Sequence, residues 1–344
     1  MRSSTSNSEP RSPKSTHAGN VTAADVYRLL AVIILTCFTI EATMWWYTHR
    51  ISQYIRHFQE EYTQAAGSRH GRLAKSVLIA GNSTLLWGVN EDEFRNKLGP
   101  GYDCHILAMK STTYLDWYFG LKELFRRGAR PDYIVVVLPA DNVDLFPVPD
   151  LSAYYLIGLQ DIPALARTEK LTATATSDVV VEHFRTFFTS RSVLRTKVKS
   201  YLFPGFENMA TKYMRQRSAH WPPALVTNRL RDLKTLCENN GAAILFVIPP
   251  TNLPDEAASN RLLELARDAQ LDAGMPVHDH DLTPDYYSDG FHLNEAGRNL
   301  FTIDLATYLR RQFDEPDFQS PAAAASLGDE NTRKAHGTGG VTFP

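Results

Sequence analysis

Four short, almost uninterrupted apolar runs, separated by stretches of helical spacing, constrain this chain more than any other feature. Ser76-Val-Leu-Ile-Ala80 ends at Gly81, Tyr102 to Leu107 is a second run, and Tyr133-Ile-Val-Val-Val-Leu138 is almost unbroken in β-branched residues. Ala243-Ile-Leu-Phe-Val-Ile248 is the fourth. Runs this short, without polar alternation, read as strands buried on both faces, as in a parallel sheet. Between them lie predicted helices: Tyr114 to Arg127, stopped by Gly128 with Pro131 beyond, and Leu225 to Asn240, closed by Gly241. A further helix is expected over Arg261 to Ala273, then a short strand near Val277 and a last helix from Glu295 to Phe313. Strands alternating with helices predict an α/β fold, a three-layer sandwich with a central parallel sheet of flavodoxin-like kind.

The rest of the chain is organised around that domain. Residues 1–22 are Ser/Thr/Pro-rich with little to bury, and 315–344 have an Ala run and Gly-Thr-Gly-Gly, so both ends are expected to be disordered tails. Residues 23–48 hold the most apolar segment, ending in Trp45, Trp46 and Tyr47. At about 1.5 Å per residue it spans a hydrocarbon core of ~30 Å, with its aromatic end suited to the headgroup region. Glu41 opposes this reading, at roughly 2.5–3.5 kcal/mol for a carboxylate at the bilayer centre and less nearer the end. No small-x-small cleavage site follows the run, so it reads as a single transmembrane anchor rather than a cleaved signal. Arg11, Lys14 and Arg28 precede it, Arg50 and Arg56 follow it, and the short basic N-terminus favours a cytoplasmic start with the remainder exported. Residues 49–75 are expected to form a stalk helix, and 76–314 the α/β domain. An insertion at about 145–222, rich in Phe, Tyr and Thr, breaks the alternation and is expected to be largely helical and to lie over the site.

A net charge of −2 gives no electrostatic footprint for nucleic acid. Three cysteines, Cys37, Cys104 and Cys237, are too few for a disulfide framework and read as buried thiols. Two motifs carry chemistry. Gly81-Asn82-Ser83 directly follows the first strand, where open α/β sheets gather their ligands; alone, it is a turn with a helix cap. The second is Tyr286-Tyr-Ser-Asp289-Gly-Phe-His292-Leu-Asn-Glu-Ala-Gly297. A serine hydroxyl needs a base within hydrogen-bond reach, and an imidazole needs a carboxylate to hold its tautomer. One segment with Asp289 and His292 can supply both.

Together the two blocks resemble the SGNH/GDSL hydrolases. The resemblance implies Ser83 as nucleophile, Asp289 and His292 as the rest of a triad, and an oxyanion hole formed by the Ser83 backbone N–H with Asn142, from Leu138-Pro-Ala-Asp-Asn142 after the third strand. The sequence departs from the pattern in three places: Asn82 stands where the family usually has Asp, no glycine appears in Ala108-Met-Lys-Ser-Thr112, and the residues around Asn142 do not match the family's motif. A helix ahead of the domain and a large insertion are similar to membrane-anchored members of bacterial envelopes, which move acyl groups on surface polysaccharides. The implied activity is a serine ester hydrolase or O-acyltransferase, single-pass in the inner membrane with its domain outside the cytoplasm. Its substrate would be an acyl ester or saccharide. The alternative is a non-catalytic domain of the same fold that binds a protein partner in an envelope complex. No cofactor and no metal is expected. His278-Asp-His-Asp281 could align two histidines on one strand face but lacks a third ligand, and Arg126, Arg127 and Arg130 read as a solvated helix end.

Overall fold

A computed structural model of the chain describes residues 22–46, 53–70, 74–144, 155–184, 221–252, 256–278, 281–289, 291–315 and 318. The chain divides into two units, Met1–Thr43 and Met44–Pro344. The expected tails lie almost wholly outside the described residues.

The first unit is built on helix α1, Ala23–Trp46, which continues across the boundary. Thr22 caps it, exchanging hydrogen bonds with Asp25. Val26, Leu29, Leu30, Val32, Ile33, Ile34, Leu35 and Phe38 are all exposed, so the helix shows apolar side chains on every side. The 21 residues Ala23–Thr43 are long and apolar enough to cross a membrane. Thr39 and Thr43 donate their hydroxyls to the Leu35 and Thr39 carbonyls at 2.8 Å, so neither is left unsatisfied in an apolar medium.

The second unit is an α/β sandwich. In chain order it comprises α2 (Gln53–Gly67), β1 (Lys75–Gly81), α3 (Ser83–Gly88), α4 (Glu91–Leu98), β2 (Tyr102–Ala108), α5 (Tyr114–Arg126) and β3 (Tyr133–Val137). Helices α6 (Ile162–Thr168), α7 (Ala173–Phe184) and α8 (Pro223–Glu238) follow, then β4 (Ala243–Val247), α9 (Glu256–Asp268), β5 (Asp272–Gly274) and α10 (Glu295–Asp314). The five strands are parallel in the order β2-β1-β3-β4-β5, the doubly wound arrangement expected from the alternation. Successive side chains point to opposite faces. Leu78, Ala80, Leu107, Ile134, Val136, Ile244 and Phe246 pack with α2, α5, α8 and α9, and Val77, Ile79, Ile106, Val135, Val137, Leu245 and Val247 pack with α3, α4 and α10.

Register sets up the site. Gly81 is level with Ala108 on one side and Val137 on the other, so β1, β2 and β3 all end on one line. The chain turns from β1 to β2 on one side and to β3 on the other, and a crevice forms at such a switch point.

The structure departs from expectation in two elements. Residues expected as a stalk are packed: Ile55, Phe58, Tyr62 and Ala65 of α2 are buried, and Glu61 accepts the Ile106 N–H (3.2 Å) of edge strand β2. Helix α9 starts at Glu256, ends at Asp268 and gives way to β5 at Asp272, ahead of the strand expected near Val277. Gln270, with φ 56°, turns the chain there, and Asp272-Ala-Gly274 has no β-branched residue to mark it as strand. Of the insertion, residues 155–184 are described: they include two helices, as expected, and Leu156, Ile157, Ile162 and Leu165 join the core on the α5 side. Residues 145–154 and 185–220 lie outside the described residues. Arg126 is engaged rather than solvated, bonding Asp161 of this segment, whose buried carboxylate also takes Lys122 Nζ at 2.9 Å.

Candidate active site

The site grows from the end of β1. A Cβ on Gly81 would lie 2.6 Å from the Val137 carbonyl oxygen and 2.9 Å from Leu85 Cβ, so only glycine lets α3 fold back this tightly. Asn82 is buried and caps α3, its Oδ1 accepting the Thr84 N–H (2.9 Å) and hydroxyl (2.8 Å). Asn82 thus supplies the acceptor that an aspartate would, without its charge. The Leu85 and Leu86 N–H groups also go to Asn82, through its carbonyl; the Ser83 N–H is not among these bonds.

The second block forms a tight loop between the turn Pro284–Tyr286 and α10. Tyr287 and Leu293 make an antiparallel bridge, the Ser288 N–H donates to the His292 carbonyl (2.9 Å), and the Asn294 N–H donates to the Tyr286 carbonyl (2.8 Å). Asn294 then caps α10 through Gly297, where an added Cβ would lie 2.5 Å from the Tyr286 oxygen. Inside this loop the Asp289 Oδ1 accepts N–H groups from Phe291 (3.0 Å) and His292 (2.8 Å), and its Oδ2 lies 2.6 Å from His292 Nδ1. His292 Nε2 is 2.9 Å from Ser83 Oγ. Residues 209 positions apart are thereby joined in one chain of hydrogen bonds. Partial burial raises the Asp289 pKa, but its bonds from the His292 ring and from the His292 and Phe291 N–H groups outweigh that and hold it below the ordinary carboxylate value.

Asn142, in the turn Ala140–Asn142 after β3, donates its Nδ2 to the Thr112 carbonyl at 3.3 Å. Thr112 is buried, accepts the Trp117 indole N–H (3.0 Å) and donates to the Met109 carbonyl (2.7 Å). Met109 in turn donates its N–H to the Gly81 carbonyl at 3.0 Å, and Ser111 between them takes a left-handed φ of 62°. The loop after β2 is therefore braced to the end of β1 and to the turn after β3. Sequence reasoning did not single out Thr112 or Asn294; the Asn before Glu295-Ala-Gly297 was a readable cap signal, whereas the Thr112–Trp117 bond has no local signature.

For metals, His278 stands in a turn, its N–H bonded to Asp281 Oδ2 (3.1 Å), and not on a strand, so the shared-face premise fails; Asp279 and His280 lie outside the described residues. Among the described residues one group, His57, Glu61 and Glu91, brings three metal-capable side chains together. Arg95 already supplies the cation there, 3.1 Å from Glu61 and 3.6 Å from Glu91, which makes the group a docking network for α2 on α4. Cys104 and Cys237 are buried free thiols, as expected, whereas Cys37 is exposed on α1.

No protein-family model and no curated protein matches the sequence. Among solved structures, the chain is similar to a GDSL-like lipase from Bacteroides thetaiotaomicron, at 11% identity over 74% of this chain and 98% of that one, with a TM-score of 0.40. An acetyl xylan esterase aligns at 12% identity over 68% and 99% of the two chains, TM-score 0.35. An α/β hydrolase from the metagenome of Lake Arreo, Spain, aligns at 11% identity over 71% and 97%, TM-score 0.36. The fold assignment rests on the sheet order and helix layers of the chain itself.

Proposed function

We propose that this protein is a membrane-anchored serine ester hydrolase or O-acyltransferase of SGNH type, acting on acyl esters of a cell-envelope polysaccharide. The observation that carries the reading is the unbroken relay from Ser83 Oγ to His292 Nε2 at 2.9 Å and from His292 Nδ1 to Asp289 at 2.6 Å. In this reading Ser83 Oγ attacks the ester carbonyl while His292 Nε2 takes its proton, and Asp289 holds the imidazole by Nδ1. The carbonyl oxygen becomes an oxyanion, stabilised by the Ser83 N–H and by Asn142, whose Nδ2 carries a second hydrogen beyond the one given to Thr112. Collapse breaks the ester C–O bond, His292 returns the proton to the leaving alcohol, and an acyl-enzyme remains. Water or a sugar hydroxyl, deprotonated by His292, then takes the acyl group and frees Ser83. Helix α1 anchors the protein, with the α/β unit outside the cytoplasm.

Hydrolysis of p-nitrophenyl acetate by the detergent-solubilised chain tests this directly. Ser83→Ala and His292→Ala should each remove nearly all turnover, and the double variant should lose little more, because a broken relay leaves its other half without a task. Multiplicative losses would refute the relay, and unchanged turnover in Ser83→Ala would favour the non-catalytic alternative.

A further inference from the structure

The face of α3 beyond Ser83 carries a second feature, and its meaning rests on the esterase reading above. Thr84, Leu85 and Gly88 turn inward, whereas Trp87, 46% exposed, points outward. Positions i and i+4 share a helix face, about 6 Å apart along the axis, so Trp87 stands on the same face as Ser83, one turn on. Beyond α1, it is the one tryptophan, tyrosine or phenylalanine found exposed among the residues whose burial is described. Lys110 leaves the end of β2, next to the Met109 N–H that bonds Gly81, and holds its ammonium 4.9 Å from the Trp87 ring and 5.4 Å from the Tyr54 ring. The Lys110 N–H donates to Tyr54 Oη at 2.8 Å, so α2 fixes the loop that positions this cation.

A single exposed indole beside a lysine is a poor seat for an acyl chain, which needs enclosing apolar walls, and too small an apolar area for a protein partner. It suits a ring with an apolar C–H face and an oxygen-bearing rim. We propose that Trp87 is the stacking platform for the sugar that bears the ester, with Lys110 binding one of its hydroxyl or carboxylate oxygens and Tyr54 bracing the pair. The substrate is then a saccharide bound by the unit next to its acyl group, oriented so that the ester lies toward Ser83.

The test is calorimetric binding to the full chain carrying Ser83→Ala, so that no ester is turned over. Three probes serve as separate arms: O-acetylated xylotetraose, O-acetylated chitotetraose and an O-acetylated tetrauronate. At least one arm should bind, and adding Trp87→Ala should weaken it about tenfold or more, with Trp87→Phe recovering most of that loss. Lys110→Ala should weaken the tetrauronate more than the neutral sugars if a carboxylate is the partner, and all arms alike if a hydroxyl is. Thermal melting of each variant identifies any that fails to fold, in which case the Phe variant carries the test. Binding of no arm, or equal binding by the Trp87→Ala protein, overturns the proposal. Wild-type turnover of p-nitrophenyl acetate is read separately: turnover without sugar binding sinks the platform alone, and sugar binding without turnover sinks the esterase reading alone.

Discussion

Asp289 uses both carboxylate oxygens within its own loop, one on two backbone N–H groups and one on the His292 ring. Its charge therefore shapes the loop as well as the imidazole, and the two roles can be separated. Asp289→Asn keeps an acceptor for the backbone but loses the charge and the correct partner for Nδ1, so turnover should fall on the order of 10⁴-fold, less than for Ser83→Ala. The folded-state pKa of Asp289 is depressed, so its stabilisation is complete above the unfolded value and fades as pH falls through the lower folded one. The melting-temperature gap between wild type and Asp289→Asn should be full above about pH 4 and close below it. A gap that widened in acid would reverse the assignment. Asn82 makes the complementary point: its neutral amide caps α3 by accepting the Thr84 N–H and hydroxyl, so this position needs an acceptor and not a charge.

At the level of elements, strongly periodic segments were readable and weakly marked ones were not. Strand β3, with Tyr133-Ile-Val-Val-Val137, and helix α5, ended by Gly128 at φ 99°, stand within a residue or so of expectation. The short β5 was not readable, because three residues of Asp, Ala and Gly become a strand only through pairing with β4. The pairing of Ser83 with His292 is what the resemblance of the two motifs to the SGNH/GDSL hydrolases implies, while Asn142's bond to Thr112 depends on side-chain placement that no local pattern encodes. Helix α2 is a helix, as its spacing predicts, but its packing was not readable for a related reason. The partners of its Glu61, namely Arg95, His105 and the Ile106 N–H, lie far along the chain. Burial alone would raise the Glu61 pKa, but His105, Arg95 and the Ile106 N–H lower it further, so this dock too is complete above the ordinary carboxylate range and weakens as pH falls below it. Glu61→Gln should cost about 1–3 kcal/mol in urea unfolding at neutral pH. An unchanged midpoint would mean that α2 contributes no more than a tether.

For the whole molecule, a helix with apolar side chains exposed on every side and a domain with its own core make different demands on solvent. The protein should stay in the membrane pellet after carbonate washing, and a chain starting at residue 44 should be released and still melt cooperatively. Release of the full chain would contradict the anchor. External protease should reach the α/β unit in spheroplasts, and complete protection would reverse the proposed orientation. The central claim is that Ser83 is an activated nucleophile in that unit, and covalent labelling by a fluorophosphonate probe tests it most directly. The account predicts one label per chain, mapped by mass spectrometry to the peptide containing Ser83, lost in Ser83→Ala and strongly slowed in His292→Ala. Labelling at another residue, or none in a folded wild-type protein, would contradict it.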